Sequence, residues 1–308
     1  MIQKVKQRMN GRPLSDKSMK IYVLQLKKLN RFITGSDTDT LDSLDFIYQT
    51  DKINEFLEGK PISTKRAYYS KILALLNYDQ MFNEKNNQEL IEKYVGLSKD
   101  INQTITQNYN QNILTEKQQE KLIPYSQLTN WVNTLKKDRP DLYILVRLVM
   151  NEFYRNEVGS FIYISLKAYK RLVKQEGVDN LTKNYLIVGS QKVMTSRNDY
   201  KTYSVYGNKT FELKDKALNR FIRKYIRENS IEEGKPLFDF SFNQVSTQLA
   251  YNSKKSLGVE LSTSSIFKIT IGDYIQNHTG DQSVAYLKRV SQSRGTDMST
   301  LTKVYLNV

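Results

Sequence analysis

The chain has no cysteine and a single histidine, His278, so its chemistry must run on Arg, Lys, Tyr, Ser and carboxylates. The missing cysteines remove disulfides, thiolate nucleophiles and Cys-ligated zinc together. One histidine leaves neither a His-ligated metal site nor a Ser–His relay as a natural reading, and His278 itself is read as a loop residue. What the remaining types can do together is cut a phosphodiester without a metal. That reaction needs a nucleophile for phosphorus, cations on the non-bridging oxygens as charge builds, and an acid for the leaving oxygen. Tyr, Arg and Lys supply all three. The chain is rich in them, with 21 Tyr and 47 Lys plus Arg against 32 Asp plus Glu, a formal net charge of +15. A field of that sign attracts polyanions, chiefly nucleic acid or an anionic membrane surface.

Three segments carry residues of these types in a suggestive order. Met150-Asn151-Glu152-Phe153-Tyr154-Arg155-Asn156-Glu157-Val158 ends an apolar helix in an arginine closely followed by an acid. Asn198-Asp199-Tyr200-Lys201-Thr202 leads into Tyr206-Gly207, and Ser293-Arg294-Gly295-Thr296-Asp297 runs on to Tyr305. Taken singly, Arg155 also fits a cap at a helix C-terminus, Lys201 a solvated loop, and Tyr305 a packing tyrosine.

In order and spacing the three segments resemble the catalytic domain of the tyrosine recombinase (integrase) family, especially divergent forms from large DNA viruses and their mobile elements. The resemblance covers nearly the whole chain. It implies that Arg155 clamps the scissile phosphate, Lys201 protonates the 5′ leaving oxygen, and Tyr305 forms a 3′-phosphotyrosyl link. Where the family usually has His-x-x-Arg, this sequence has Ser265-Ile266-Phe267-Lys268, so Lys268 stands in for the second arginine. That exchanges a bidentate fork for a point charge. Arg294 is the residue available for the later His or Trp position, and Glu157 falls one residue earlier than the family's acid. The implied partner is double-stranded DNA, with self-assembly on it, and neither a metal nor a small-molecule cofactor is expected. Only Leu306, Asn307 and Val308 follow Tyr305, so the free protein is expected to be monomeric and to assemble through other surfaces. A second reading keeps the scaffold and drops the chemistry: a non-catalytic DNA-binding protein.

The elements that must position these residues show in the periodicity. The expected fold is mainly α with a small antiparallel sheet: an N-terminal helical, core-binding-like domain (1–100), a polar linker (101–122) and an α+β, tyrosine-recombinase-like catalytic domain (123–308). The first 35 residues carry nine basic side chains against one acid, Asp16. Ser15 is a plausible N-cap, with Tyr22, Leu26, Leu29 and Ile33 as an apolar stripe at helical spacing. Residues 36–59 invert the sign, with seven acids against Lys52, and short helices are expected around Leu44–Tyr48 and Ile53–Leu57. Ser63 or Thr64 caps a helix over 65–77, and another covers 88–95. The Asn/Gln-rich stretch after residue 99 has a linker's composition that is also compatible with partial helix. Helices are expected from Pro124 and from Asp141, then β-rich runs at 161–166 and 185–188. Alternation at Thr202–Val205 and Thr210–Leu213 around Gly207-Asn208 suggests a hairpin. Helices return from Asp215.

The candidate DNA-contact residues follow from charge on those helices. Arg220, Arg223, Lys224 and Arg227 recur at i, i+3, i+4 and i+7 opposite Phe221, Ile222, Tyr225 and Ile226. A cationic face of this kind suits a phosphate backbone, or is an ordinary solvated face. Lys27 and Arg31 on the first helix, and Lys65 and Arg66 on the helix over 65–77, are the further candidates. There is no 18-residue apolar run and no hydrophobic region near the N-terminus, so neither a membrane span nor a secretory signal is expected and the location is read as intracellular.

Overall fold

The structure, a computed structural model, describes residues 16–35, 44–78, 88–111, 113–278 and 280–301. The chain divides into two compact units, Met1–Gln111 and Asn112–Val308.

Helices α1 (Asp16–Thr34), α2 (Thr50–Leu57), α3 (Ile62–Tyr78) and α4 (Gln88–Asn110) build the first unit, with a 3-10 turn at Asp45–Tyr48. The expected stripe of α1 supplies Leu26, Leu29 and Ile33 to a core shared with Ile53, Leu57, Tyr69, Ile72, Leu76 and Tyr94. Two tyrosine hydroxyls are satisfied inside it: Tyr94 donates to the Ile47 carbonyl (2.7 Å) and Tyr69 to Asn54 Oδ1 (2.6 Å). Ser15 lies outside the described residues. Helix α3 starts earlier than its Ser/Thr signal suggested, because the Pro61 carbonyl accepts from the Thr64 and Lys65 amides (2.8 and 3.1 Å). Pro61 pre-sets the entry that a hydroxyl cap would otherwise provide.

Within the stretch expected as a polar linker over 101–122, partly helical, helix α4 continues to Asn110. Leu90, Tyr94, Leu97 and Ile101 extend one apolar row into the polar stretch. Beyond that row, Thr104 and Thr106 donate to carbonyls four residues back (2.9 and 2.8 Å). Composition left the extent of the helix open because its polar end carries no apolar face of its own. The first unit ends at Gln111.

The second unit opens with α5 (Tyr125–Asp138) and α6 (Pro140–Glu152). Leu142 to Met150 are buried on α6 apart from Arg147, so this helix is apolar nearly all round and sits centrally, packed by its neighbours. A four-stranded sheet follows in the order β1 (Ile162–Ser165), β2 (Tyr185–Val188), β3 (Val193–Arg197), β4 (Lys209–Glu212). It is mixed rather than purely antiparallel, because β1 and β2 run parallel. The helix α7 (Leu166–Glu176) explains this: a parallel pair needs a crossover connection, and Ser165 starts that helix by accepting from the Ala168 amide (3.1 Å).

The expected strand at Thr202–Val205 is also corrected. Tyr203–Tyr206 is a helical turn, and β4 pairs with β3 in the register Ser196↔Thr210 and Arg197↔Lys209. The Tyr200 hydroxyl closes the connecting loop on the Gly207 carbonyl (2.7 Å), so Gly207-Asn208 ends a loop rather than forming a two-residue hairpin turn. Helices α8 (Lys216–Glu228), α9 (Val245–Leu257), α10 (Thr263–Asn277) and α11 (Asp281–Arg294) complete the described unit. His278 caps α10, stacked on Tyr274 with ring centroids 4.0 Å apart. No helix among the described residues is long and apolar enough to cross a membrane.

Candidate functional site

A helix leaves its last four carbonyls without intrahelical partners, at the negative end of its dipole. At the end of α11, four consecutive carbonyls each accept from a side chain of a different residue. Lys209 Nζ donates to Gln292, Arg197 Nη2 to Ser293, Arg155 Nη1 to Arg294 (2.7 Å) and Thr202 Oγ1 to Gly295 (2.8 Å). Three of the four donors are cationic, as the dipole favours. The traffic also runs the other way: Ser293 Oγ donates to the Glu152 carbonyl (2.6 Å) and Arg294 Nη1 to the Phe153 carbonyl (3.0 Å). The three segments singled out in sequence therefore meet at one helix end.

Local backbone geometry makes this junction. Phe153 leaves α6 in the left-handed region (φ 60°), and Arg155 follows in extended conformation as the N-cap of a 3-10 turn over Asn156–Ser160. Gly295 ends α11 at φ 64°. A Cβ there would lie 2.7 Å from Thr202 Oγ1 and 3.0 Å from Tyr200 Cε2, so glycine is required for conformation and for the close approach. Asn184 fixes the connection carrying Lys201: it accepts from the Asn198 and Asp199 amides (2.8 and 2.9 Å) and donates to the Asp199 carbonyl (2.7 Å).

The proposed catalytic residues are placed unequally. Arg155 is half-exposed beside the end of α11, and Lys201 is exposed on the loop whose next residue, Thr202, holds Gly295. Lys268 is half-buried on the second turn of α10. That helix touches the Arg155 segment through Thr263 Oγ1 to Asn156 Oδ1 (2.9 Å). Ser265, expected to stand where the resembled family has a histidine, is spent on the helix cap, accepting from the Ser262 amide (2.7 Å). Arg294 is only 1% exposed, its guanidinium 3.8 Å over the Phe267 ring; it faces the interior. Tyr305 lies outside the described residues.

Sequence reasoning missed Arg197 and Lys209. Arg197 is fully buried, pairs with Glu157 at 2.9 Å and sits over the rings of Tyr154 and Tyr200 (4.4 and 4.8 Å). Burial, with the nearby Arg197 charge, lowers the Lys209 pKa. The pairing partners of both residues are remote in sequence, so no local signal marks them. Glu152 is a third: it lines a pocket of about 310 Å³ with Lys214, Asp215, Asp273, Tyr286 and Arg289. Burial pushes its carboxyl up to about 7 although Arg289 stands 3.6 Å away.

On α8, Arg220, Lys224 and Arg227 are exposed as expected, and Lys224 has a surface ion pair with Glu228 at 3.6 Å. Arg223 is partly buried, with Nε donating to the Gly189 carbonyl (3.2 Å) and Nη1 to the Asn219 carbonyl (3.3 Å). It braces the turn after β2 instead of extending the cationic face. In the first unit Arg31 and Arg66 are exposed, and Lys27 and Lys65 half-exposed.

No protein-family model matches the chain, and no curated protein matches it. Among solved structures, the crystal structure of XerA recombinase is similar over 100% of this chain and 93% of that one, at 11% sequence identity and a TM-score of 0.42. At that TM-score the likeness carries no weight, and the functional reading rests on the geometry described above.

Proposed function

We propose that this protein binds double-stranded DNA and cleaves and rejoins a strand through a covalent 3′-phosphotyrosyl bond at Tyr305, as the tyrosine recombinases it resembles do. The observation that supports this is the meeting of the Arg155, Lys201 and Arg294 segments at the end of α11, the helix from which the chain leads on to Tyr305.

In this reading Tyr305 gives up its hydroxyl proton to solvent water and attacks phosphorus, while the P–O5′ bond breaks and the 5′ oxygen leaves with a proton from Lys201, which is reprotonated from solvent. Arg155 and Lys268 bear on the non-bridging oxygens, where charge builds in the transition state. Arg294 holds the α6–α11 junction from inside. The phosphotyrosyl bond conserves the energy of the broken one, so rejoining is the same step reversed and no metal or nucleotide is consumed. The exposed cations Arg220, Lys224 and Arg227, with Lys27, Arg31, Lys65 and Arg66 in the first unit, take the phosphate backbone, and several copies assemble on the site.

A second reading has its own support. Arg155 donates to a protein carbonyl, Arg294 faces inward, and an ammonium stands at the second-arginine position. These features suit a DNA-binding scaffold without cleavage.

One experiment separates the two. A pool of nicked duplexes of randomised sequence, which traps cleaved strands, is incubated with wild type and with Tyr305→Phe and resolved under denaturing conditions. Cleavage predicts a covalent adduct with wild type and none with Tyr305→Phe, at equal DNA affinity. An adduct surviving in Tyr305→Phe sinks the nucleophile assignment, and binding without any wild-type adduct leaves the second reading.

A further inference from the structure

The pair formed by Arg197 and Glu157 is among the most enclosed in the second unit, with side chains 0% and 3% exposed. Stability alone is a weak reason for it, because well-packed apolar side chains usually serve a core as well as a buried ion pair does. What an apolar pair would lack is reach. Arg197 ends β3, immediately before the connection that carries Lys201. One nitrogen binds the Glu157 carboxylate, two residues beyond Arg155, and another binds the Ser293 carbonyl at the end of α11. Its plane lies over Tyr154, just before Arg155, and over Tyr200, just before Lys201. A planar fork with donors in fixed directions can hold those partners at once; a lysine, with one nitrogen on a flexible stem, cannot.

We propose that Arg197 is the positioning residue of the candidate site, the one side chain that sets the Arg155 segment, the Lys201 connection and the end of α11 relative to one another. The inference rests on the DNA-cleavage reading for its functional consequence, but the coupling of three segments through one guanidinium can be measured without cleavage. It also accounts for Glu157 preceding the family's usual acid position: here its carboxylate serves the interior arginine.

The test uses the full chain carrying Arg197→Lys, with two readouts: hydrogen exchange along the backbone, and adduct formation on the trapping duplexes at saturating DNA. The expected result is faster exchange in 153–158, 200–207 and 291–297 together, with α6 and α8 unchanged. Duplex affinity should stay within about twofold and the adduct rate should drop about 100-fold, the scale expected when reacting groups are misplaced by an ångström. Unchanged exchange in those segments, loosening of the whole unit, or an adduct rate within about threefold of wild type overturns the proposal. If wild type forms no adduct, the cleavage reading falls while the exchange pattern alone decides the role of Arg197. Should Arg197→Lys fail to fold, Glu157→Gln keeps an acceptor but removes the charge. It should loosen the same three segments and slow adduct formation about tenfold, roughly one interaction's worth of barrier; no change in either would likewise overturn the proposal.

Discussion

Arg155 donates through Nη1 to the Arg294 carbonyl in the free protein, and because a guanidinium carries five N–H donors, contact with a phosphate does not require that bond to break. The motif located that arginine because its neighbours in sequence are distinctive. Arg197 was illegible for the opposite reason: it stands in an unremarkable Val-Met-Thr-Ser-Arg strand, and the carbonyl it holds is 96 residues away. Glu152 was illegible too, since burial and not sequence decides its ionisation. Its folded pKa of about 7 lies above the value of about 4.3 expected for an unfolded glutamate. Between those values the folded chain keeps a proton that the unfolded chain has lost, so stability falls as pH rises through the window. The displacement amounts to roughly 4 kcal/mol. Glu152→Gln does not titrate, so it should gain on wild type in urea unfolding between about pH 5 and about pH 8, most of the gain coming below pH 7. A difference between the two proteins that stays constant across that range would show that the carboxyl is not held in the environment described.

Helices α1, α5, α6 and α8 were legible from apolar spacing, while α7, the full length of α4 and two features of connection were not. The parallel β1–β2 pair depends on α7 as a crossover, and the loop between β3 and β4 takes its shape from Tyr200, Asn184 and Thr202, whose partners are distant in sequence or carried by backbone. The ends of elements carry the site, and Gly295 is the most exacting of them. Gly295→Ala should cost about 1 kcal/mol for its positive φ, plus at least as much again for moving Thr202 and Tyr200. Gly258, at φ 77° with nothing within 4 Å of an added Cβ, is the control, and Gly258→Ala should show the conformational cost alone. Equal losses in chemical denaturation would mean that the end of α11 does not pack on the Lys201 connection as closely as described.

At the scale of the whole molecule, the +15 charge and the proposed function together predict DNA binding that weakens steeply with salt, with the exposed cations of α8 contributing to the slope. Replacing Arg220, Lys224 and Arg227 with Ala should flatten the plot of log affinity against log salt by about 0.9 per lost phosphate contact. Arg223→Ala should leave the slope alone and lower stability, because that guanidinium braces Gly189 and Asn219. If the triple variant keeps the wild-type slope, α8 does not face the duplex. The separation of the site's segments along the chain bears on how the protein is made. Arg155 waits for a carbonyl 139 residues further on. A domain grown from its N-terminal end by a ribosome can build its sheet and central helix before that partner has left the exit tunnel. Until α11 arrives, the nascent chain displays the cationic face of α8 while Arg155, Arg197 and Lys209 lack the carbonyls they hold in the finished fold.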